Sequence, residues 1–534
     1  MRKSRIALLS LALSVVAASG WALWAANWSS LPVDRQGPLP SAAPSRTEGP
    51  PNIVLIVADD LGYGGVSSYG GNRFTTPQID ALASSGVRYT NAHVTASVCS
   101  PSRAGLLTGR NGVSFGFEFN PGDQQDEASK AWGLPLNVPT LAERLRQQGY
   151  ATAAIGKWHL GGAPGMRPTE RGFDEFFGVL EGAFNYFSVA PEGADASGIF
   201  RLINGPDRRV TPFLRGNAKV RVDEYATDRF TYEGRSFIRR QANRPFFLYM
   251  AYNAPHSPFE APRKYLDRFP KLKGVERTFA GMMAGLDDGV GALMAELRAR
   301  GLDRNTLVIF MSDNGCPNYP IQDGRLVCSN APLAGTKASL FEGGLRVPMI
   351  VSGPGFATAV NNNPVSSLDI TPTVLRLAGA AVPASLEGVD LQASLRPEAA
   401  NRRLFWRSGQ SVASLHGKYK LHIAERADPK AKDSSGDNPL ARIRRKLAGE
   451  EDRVRARTMT VYGQGKPEWG YHSMLYDIDS DAGETRNLVP TDPKKFAEMK
   501  AELEKWNATL PKRPNWGSDL DAISEHEGVN LLRH

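Results

Sequence analysis

The stretch NIVLIVADD, Asn52 to Asp60, runs apolar from Ile53 to Ala58 and then stops on two aspartates. An apolar run without alternation, rich in Ile and Val and too short for a helix, reads as a strand buried on both faces. The form recurs three times. YATAAIGKWH (150–159) closes on Lys157 and His159, PFFLYMAYNAPH (245–256) on His256, and TLVIFMSDN (306–314) on Asp313 and Asn314. Helical periodicity lies between them, as in TTPQIDALASSG (75–86) and VPTLAERLRQQG (138–149). Buried strands alternating with helices predict an α/β protein with a large, mostly parallel central sheet flanked by helices. Ligands of such sheets bind at the carboxyl ends of the strands, so these strand-end residues are expected to share one site although far apart in the chain. Polar residues also end strands for no reason beyond the start of a loop. That bland reading weakens when four ends together carry carboxylates, imidazoles and a lysine.

Asp59, Asp60, Asp313 and Asn314 offer only oxygen, which suits calcium, with magnesium as the alternative, and disfavours zinc. A metal so held would act as a Lewis acid toward an anionic oxygen.

The chain has 534 residues, 41% of them hydrophobic and 22% charged, and a formal net charge of +9. This is globular composition with a preference for anionic partners. No zinc-finger spacing and no aromatic RNA-binding run is present, so nucleic acid is not an expected partner. Arg2, Lys3 and Arg5 precede an apolar run from Ile6 to Ala26, the form of an export signal. The run is long enough for an uncleaved membrane anchor, and its small residues from Ala17 to Gly20 suit a cleavable signal peptide. Either way the expected location is periplasmic or extracellular. Residues 27–51, rich in Pro, Gly, Ser and Ala, read as a flexible tether. After about residue 396 the pattern changes to short strand-like pieces, RLFWRSG, VASLHGKYKLHI and HSMLYDI, followed by a helix from about Pro493 to Trp506. The expected division is therefore 1–26 signal, 27–51 tether, 52–395 catalytic domain and 396–534 a smaller antiparallel-sheet subdomain.

A lone cysteine, Cys99, sits in SVCSPSRAGLLTGR (97–110), where an export route makes an unpaired thiol a liability unless its chemistry is wanted. Here the sequence resembles the type I sulfatases. The C-x-P-S-R-x-x-L-x-T-G signature is matched by Cys99, Pro101, Ser102, Arg103, Leu106, Thr108 and Gly109, and a second signature by GYATAAIGKWH (149–159). The likeness runs on through GTKASLFEGGLRVPMIVSGPG (335–355) to LYDIDSDAGETRNL (475–488), within the arylsulfatase and N-acetylgalactosamine-6-sulfatase group. The resemblance implies an alkaline-phosphatase-like sandwich fold and sulfuric ester hydrolysis. It also implies that a maturation enzyme reads the unfolded motif and oxidises Cys99 to Cα-formylglycine. The hydrated aldehyde would then carry one hydroxyl to attack sulfur and another to expel sulfate. Carried over residue by residue, the metal ligands are Asp59, Asp60, Cys99 (as its hydrate), Asp313 and Asn314. Arg103 holds the nucleophile's geometry, and Lys157 binds sulfate and the hydrate. His159 takes the proton of the second hydroxyl, while His256 and Lys337 contact sulfate and protonate the departing alcohol.

The expected substrate is a sulfated small molecule or glycan. The rival readings are a phosphonate monoester or phosphodiester hydrolase of the same superfamily, and a non-catalytic relative that binds sulfated glycans. Cys316 and Cys328 bracket the segment after Asn314 and read as a disulfide in an oxidising compartment, with two buried thiols as the alternative. His93, His416, His422, His472, His526 and His534 match no catalytic motif and are read as packed or surface side chains. The basic run 440–457 reads as a solvated face. RYTNAHVTA (88–96) and FGFEFNPG (115–122), which flank the signature, are placed at the mouth of the site.

Overall fold

The computed structural model describes residues 30–44, 48–71, 73–121, 132–187, 195–196, 212–241, 244–319, 326–409, 411–424 and 472–511. The export signal, the basic run 440–457, His526 and His534 lie outside them, as does the side chain of His472.

Numbered over the two principal sheets, the first ten strands are β1 (Asn52–Ala58), β2 (Val87–Tyr89), β3 (Ala151–Lys157), β4 (Glu175–Val179), β5 (Phe213–Arg215), β6 (Ala218–Val220), β7 (Phe246–Ala251), β8 (Thr306–Ser312), β9 (Met349–Ser352) and β10 (Ala359–Asn361). They form one sheet in the order β10-β2-β9-β8-β1-β7-β3-β4-β5-β6. The five central strands, β8 to β4 in that order, are parallel. The sheet as a whole is mixed, because β9 runs against both β8 and β2, and β5 against both β4 and β6. β1, β3, β7 and β8 are the four predicted apolar runs, and they are adjacent. Ala58 lies opposite Ser312, and Val57 and Gly156 both lie opposite Ala251, so the four carboxyl ends are level.

Alternate residues of β1 enter opposite cores, as the period of two requires. Val54 and Ile56 pack in the layer of α1 (Pro77–Ser84), α4 (Ala226–Arg240) and α5 (Gly274–Ala299), with Ile79, Phe230, Phe237 and Leu286. Ile53, Leu55 and Val57 face α2 (Cys99–Thr108), α3 (Leu141–Gln147) and α6 (Ile370–Leu377), with Leu106, Leu145 and Val374. Both helices expected from the quoted periodic segments form. α3 starts on a capping box in which Thr140 and Glu143 each bond the other's backbone N–H.

The second sheet is antiparallel, β11 (Arg403–Ser408), β12 (Ser411–His416), β13 (Tyr419–Ala424) and β14 (His472–Asp477) in sequential order. VASLHGKYKLHI is thus a hairpin rather than one piece, turning at Gly417, whose φ of 59° favours glycine. One face (Leu404, Trp406, Ala413, Leu415, Met474, Tyr476) joins the core around α2 and α6. The other (Leu421, Ile423, Leu475) is covered by Met499 and Leu503 of α7 (Pro493–Ala508).

Residues 30–44, expected to form part of a loose tether, are docked along α4. Asp34 pairs with Arg215 and Arg229 at 2.5 Å, Gln36 N–H donates to Glu224, and the Ala43 N–H donates to the Arg239 carbonyl. Composition marks a segment that cannot build its own core. It does not reveal that a neighbouring strand and helix each offer an arginine, Arg215 and Arg229, for its one acidic side chain.

Candidate active site

Cys99 is the first residue of α2 and is wholly buried. Its helix has no side-chain cap of its own, and Asn120, from the FGFEFNPG segment, supplies one by accepting the Ser100 N–H at 2.9 Å. The thiol lies between Asp59 Oδ1 at 3.4 Å and Lys337 Nζ at 3.2 Å. Lys337 also stands 3.0 Å from Asp60 Oδ1, and Lys157 Nζ is 2.7 Å from Asp59 Oδ2. Two predicted strand ends and the distant Lys337 loop therefore meet at the start of one helix.

Arg103, one turn along α2, is fully buried and points its Nε and Nη2 at Asp313 Oδ2, at 2.8 and 2.7 Å. Its Nη1 donates to the Lys157 carbonyl at 3.0 Å and to the Tyr249 hydroxyl at 3.4 Å. The guanidinium thus ties α2 to β3, β7 and the end of β8. Asp313 Oδ1 accepts the Asp60 N–H at 3.2 Å, and Asn314 Nδ2 donates to Asp60 Oδ1 at 2.7 Å. His256 Nε2 lies 3.6 Å from Asp60 Oδ2, and its Nδ1 donates to the Ser257 carbonyl at 2.5 Å. Asp60 and His159 hold φ values of 63° and 57°, a region unfavourable for side chains other than glycine and a common feature of functional sites.

The electrostatics follow from charge packed without water. Burial pushes the Asp60 carboxyl up, but Lys337, His256, Lys157 and the Asn314 amide outweigh it and hold it at about 2. Burial and the neighbouring Asp59 push Asp313 up to about 6 against the pull of Arg103. His159 is driven well below the usual imidazole range by burial and then by Lys157, Arg103 and Lys337, so its ring is neutral. His256 falls to about 4, chiefly through burial. Burial raises the Cys99 thiol well above its ordinary value despite the two lysines, which makes the thiol itself a poor nucleophile.

Asp59, Asp60, Cys99 and His256 present ligand atoms within 4.8 Å of one another, a group able to hold a metal ion. Asp60 Oδ2 and Asn314 Oδ1 are buried and receive no hydrogen bond, which suits oxygens that face a cation. The three carboxylates are balanced by Lys157, Lys337 and Arg103, so a divalent ion would leave the cluster positive and ready for an anion. The arrangement differs from the sequence expectation in two respects. His256 stands among the possible ligands, and Asp313 spends one oxygen on Arg103.

Sequence reasoning missed Tyr249, Asn120 and Gly182. Tyr249 is one aromatic in an apolar strand and carries no local signal. Asn120 lies in a segment placed at the mouth of the site, whose side-chain directions were not legible. Gly182 packs against His159, and a Cβ there would stand 2.5 Å from its Cε1 and Nε2. A Gly182→Ala variant is therefore expected to displace the imidazole and lower kcat on the order of 10²-fold, with the melting temperature little changed. Steady-state kinetics beside thermal unfolding checks this. Cys316 and Cys328 form the disulfide, closing the segment that follows Asn314. His93 and His422 are buried in packing roles: His93 pairs with Glu342, and His422 packs edge-on to Phe341.

Residues 51–380 match the sulfatase family model. The chain is 35% identical over 472 residues to arylsulfatase A of Bos taurus, spanning 84% of this chain and 85% of that protein. It is 33% identical over 388 residues to N-acetylgalactosamine-6-sulfatase of Mus musculus, spanning 70% and 72%. Among solved structures, Ps i-CgsB in complex with k-i-k-neocarrahexaose superposes with a TM-score of 0.71 at 29% identity, over 90% of this chain and 98% of that one.

Proposed function

Since the chain belongs to the sulfatase family, whose named members are sulfuric ester hydrolases, we propose that it removes sulfate from a sulfated sugar, with residue 99 as a formylglycine nucleophile and a calcium ion beside it. The observation that carries this reading is the seat of position 99, buried at a helix start between a carboxylate and an ammonium group. Oxidised to formylglycine and hydrated, that residue supplies one hydroxyl to attack sulfur and one to expel sulfate. Asp59, Asp60, Asp313 and Asn314 would hold the calcium, with magnesium as the alternative, and the ion would supply Lewis acidity toward an anionic oxygen.

The remaining chemistry belongs to side chains. Lys157 and Lys337 flank position 99 and would bind the sulfuryl oxygens, where negative charge grows during transfer. His159, neutral in its buried seat, accepts the proton of the second hydroxyl. Lys337, a charged ammonium group, gives a proton to the departing alcohol. His256 would contact sulfate through Nε2 in its protonated form, which the charge of a bound sulfate favours, because its Nδ1 is committed to the Ser257 carbonyl. Arg103 touches no substrate and keeps α2 in place against Asp313. Residues 52–395 form the catalytic domain and 396–534 the C-terminal subdomain in this reading. Export to the periplasm or the extracellular space would place the enzyme where sulfated polysaccharides occur, and its further partner would be the formylglycine-generating maturation enzyme. The sugar substrate is favoured by two relatives, one named for N-acetylgalactosamine-6-sulfate and one solved with a neocarrahexaose.

Matched aryl sulfate and aryl phosphonate esters test the reaction. The sulfate is expected to turn over faster, and faster phosphonate hydrolysis would favour the superfamily rival instead. In the same assay a chelator should lower activity by on the order of 10²-fold or more and calcium should restore it. Restoration by zinc alone would contradict an oxygen-ligand site.

A further inference from the structure

The inward face of the C-terminal sheet is apolar except where β13 crosses it. Lys420 lies between Leu415 and Tyr476 on the neighbouring strands and is fully buried. Its Nζ is 2.7 Å from Glu342 Oε1 and 3.4 Å from Glu484 Oε1, over the Trp406 ring. Glu342 is also fully buried, is met by His93 Nε2 at 3.1 Å, and has its own N–H bonded to Glu484 Oε2 at 2.7 Å. A second buried pair joins the same sheet to the catalytic domain: Arg407 of β11 donates through Nε to Glu118 Oε2 at 3.0 Å and through Nη2 to Glu118 Oε1. Buried ion pairs are seldom the most stable filling for an interface, since well-packed apolar residues of similar volume often do as well or better. Lys420 stands in the apolar seam, whereas Arg407 lies on the α7 face of the sheet, where its Nη1 also donates to Asn507 Oδ1 at 3.3 Å. In each case the buried pair points to the carboxylate it holds in place.

Both anchored carboxylates sit beside catalytic parts. Glu342 closes the loop that carries Lys337, where the Gly343 N–H donates to the Ala334 carbonyl at 2.6 Å. The same loop reaches the nucleophile and metal-side segments through Lys337 N–H to the Cys316 carbonyl, Ala338 N–H to the Ser97 carbonyl, and Gly315 N–H to the Gly344 carbonyl. Glu118 lies two residues before Asn120, which caps α2 at Ser100.

We propose that Lys420 and Arg407 are positioning residues, through which the C-terminal sheet holds the Lys337 loop and the Asn120 cap in register with residue 99. The proposal rests on the sulfatase reading of the site. It makes the small subdomain part of the catalytic apparatus through two residues, Lys420 and Arg407, that act only by way of Glu342 and Glu118.

The test uses the full-length, converted enzyme with Lys420→Met, Lys420→Arg, Arg407→Met and Arg407→Lys. Kinetics on an aryl sulfate are taken well below each variant's melting temperature and normalised to the fraction of residue 99 converted, read by mass spectrometry. Lys420→Met and Arg407→Met are expected to lower kcat by about 10-fold or more with KM changed less than about 3-fold, because an ångström of misplacement is costly to chemistry. Amide exchange should quicken in segments 334–344 and 115–121 respectively, and Lys420→Arg should recover part of the lost kcat. Where a methionine variant does not fold, the charge-retaining variant at that position carries the test, with a kcat deficit and faster exchange in its own segment expected. Unchanged kcat per converted site, with only a lower melting temperature, would overturn the proposal. Failure of the sulfatase reading looks different: converted wild-type enzyme would then turn over no sulfate ester.

Discussion

Alanine at position 99 is expected to lower kcat for sulfate ester hydrolysis on the order of 10⁵-fold while leaving the protein folded, as loss of a nucleophile does in hydrolases that work through a covalent step. Removing one buried sulfur costs only about 1 kcal/mol or so in packing, and the neighbours of Cys99 keep their other partners: Lys337 retains Asp60 and Asp59 retains Lys157. The serine variant is the more informative control. It keeps an oxygen at the site but has a single hydroxyl, so it is expected to release about one equivalent of alcohol and then stall with residue 99 sulfated. A burst experiment with mass spectrometry of the peptide holding residue 99 checks this. Steady turnover by the serine variant would remove the need for a second hydroxyl. The same mass measurement on wild-type protein from its own host decides whether Cys99 is converted. A free thiol there, with no turnover, would favour the binding-only alternative, because burial already makes this thiol unreactive.

Arg103→Met is expected to produce the largest loss of stability of any single substitution at the site, about 3–5 kcal/mol, because it leaves a buried carboxylate without its partner. Asp313 is 1% exposed, is already pushed up by burial and by Asp59, and has Arg103 at 2.7 Å as its nearest cation. Arg103→Lys should be milder in stability yet still poor in catalysis. Its point charge cannot reach Asp313, the Lys157 carbonyl and Tyr249 together. With α2 free to shift, kcat is expected to fall on the order of 10²-fold even in the lysine variant. Denaturant titration and kinetics on the folded fraction separate the two effects. Wild-type-like stability in Arg103→Met would contradict the burial argument.

The fold was legible where one physical signal acted alone. Runs such as TLVIFMS and PFFLYMA are apolar without interruption because both faces of a central strand are covered, so each appears as a strand at its expected place. The margins of the sheet were less legible. β5, β6 and β10 are three residues each, and β2 is no longer, so periodicity has nothing to act on. The docking of residues 30–44 escaped for a related reason, since Pro- and Ser-rich composition says only that the segment has no core of its own.

At the site, the residue types were readable from motifs and strand ends, and their meeting was not. Asp59, Lys157, His256 and Asp313 become neighbours because β8, β1, β7 and β3 lie side by side with their ends level. Chemistry close in the chain, such as the spacing of Cys99 and Arg103 on one helix, is set by local geometry, and the sequence by itself determined it. Contacts between distant segments depend on strand order, register and side-chain direction, so only the tertiary structure decided them. Asn120 beneath the nucleophile helix, Gly182 against His159, and Arg407 and Lys420 reaching across from a second sheet are of this kind. No periodicity records such a pair, because each partner's local surroundings are satisfied by the chain's own fold and the contact exists only once both are in place.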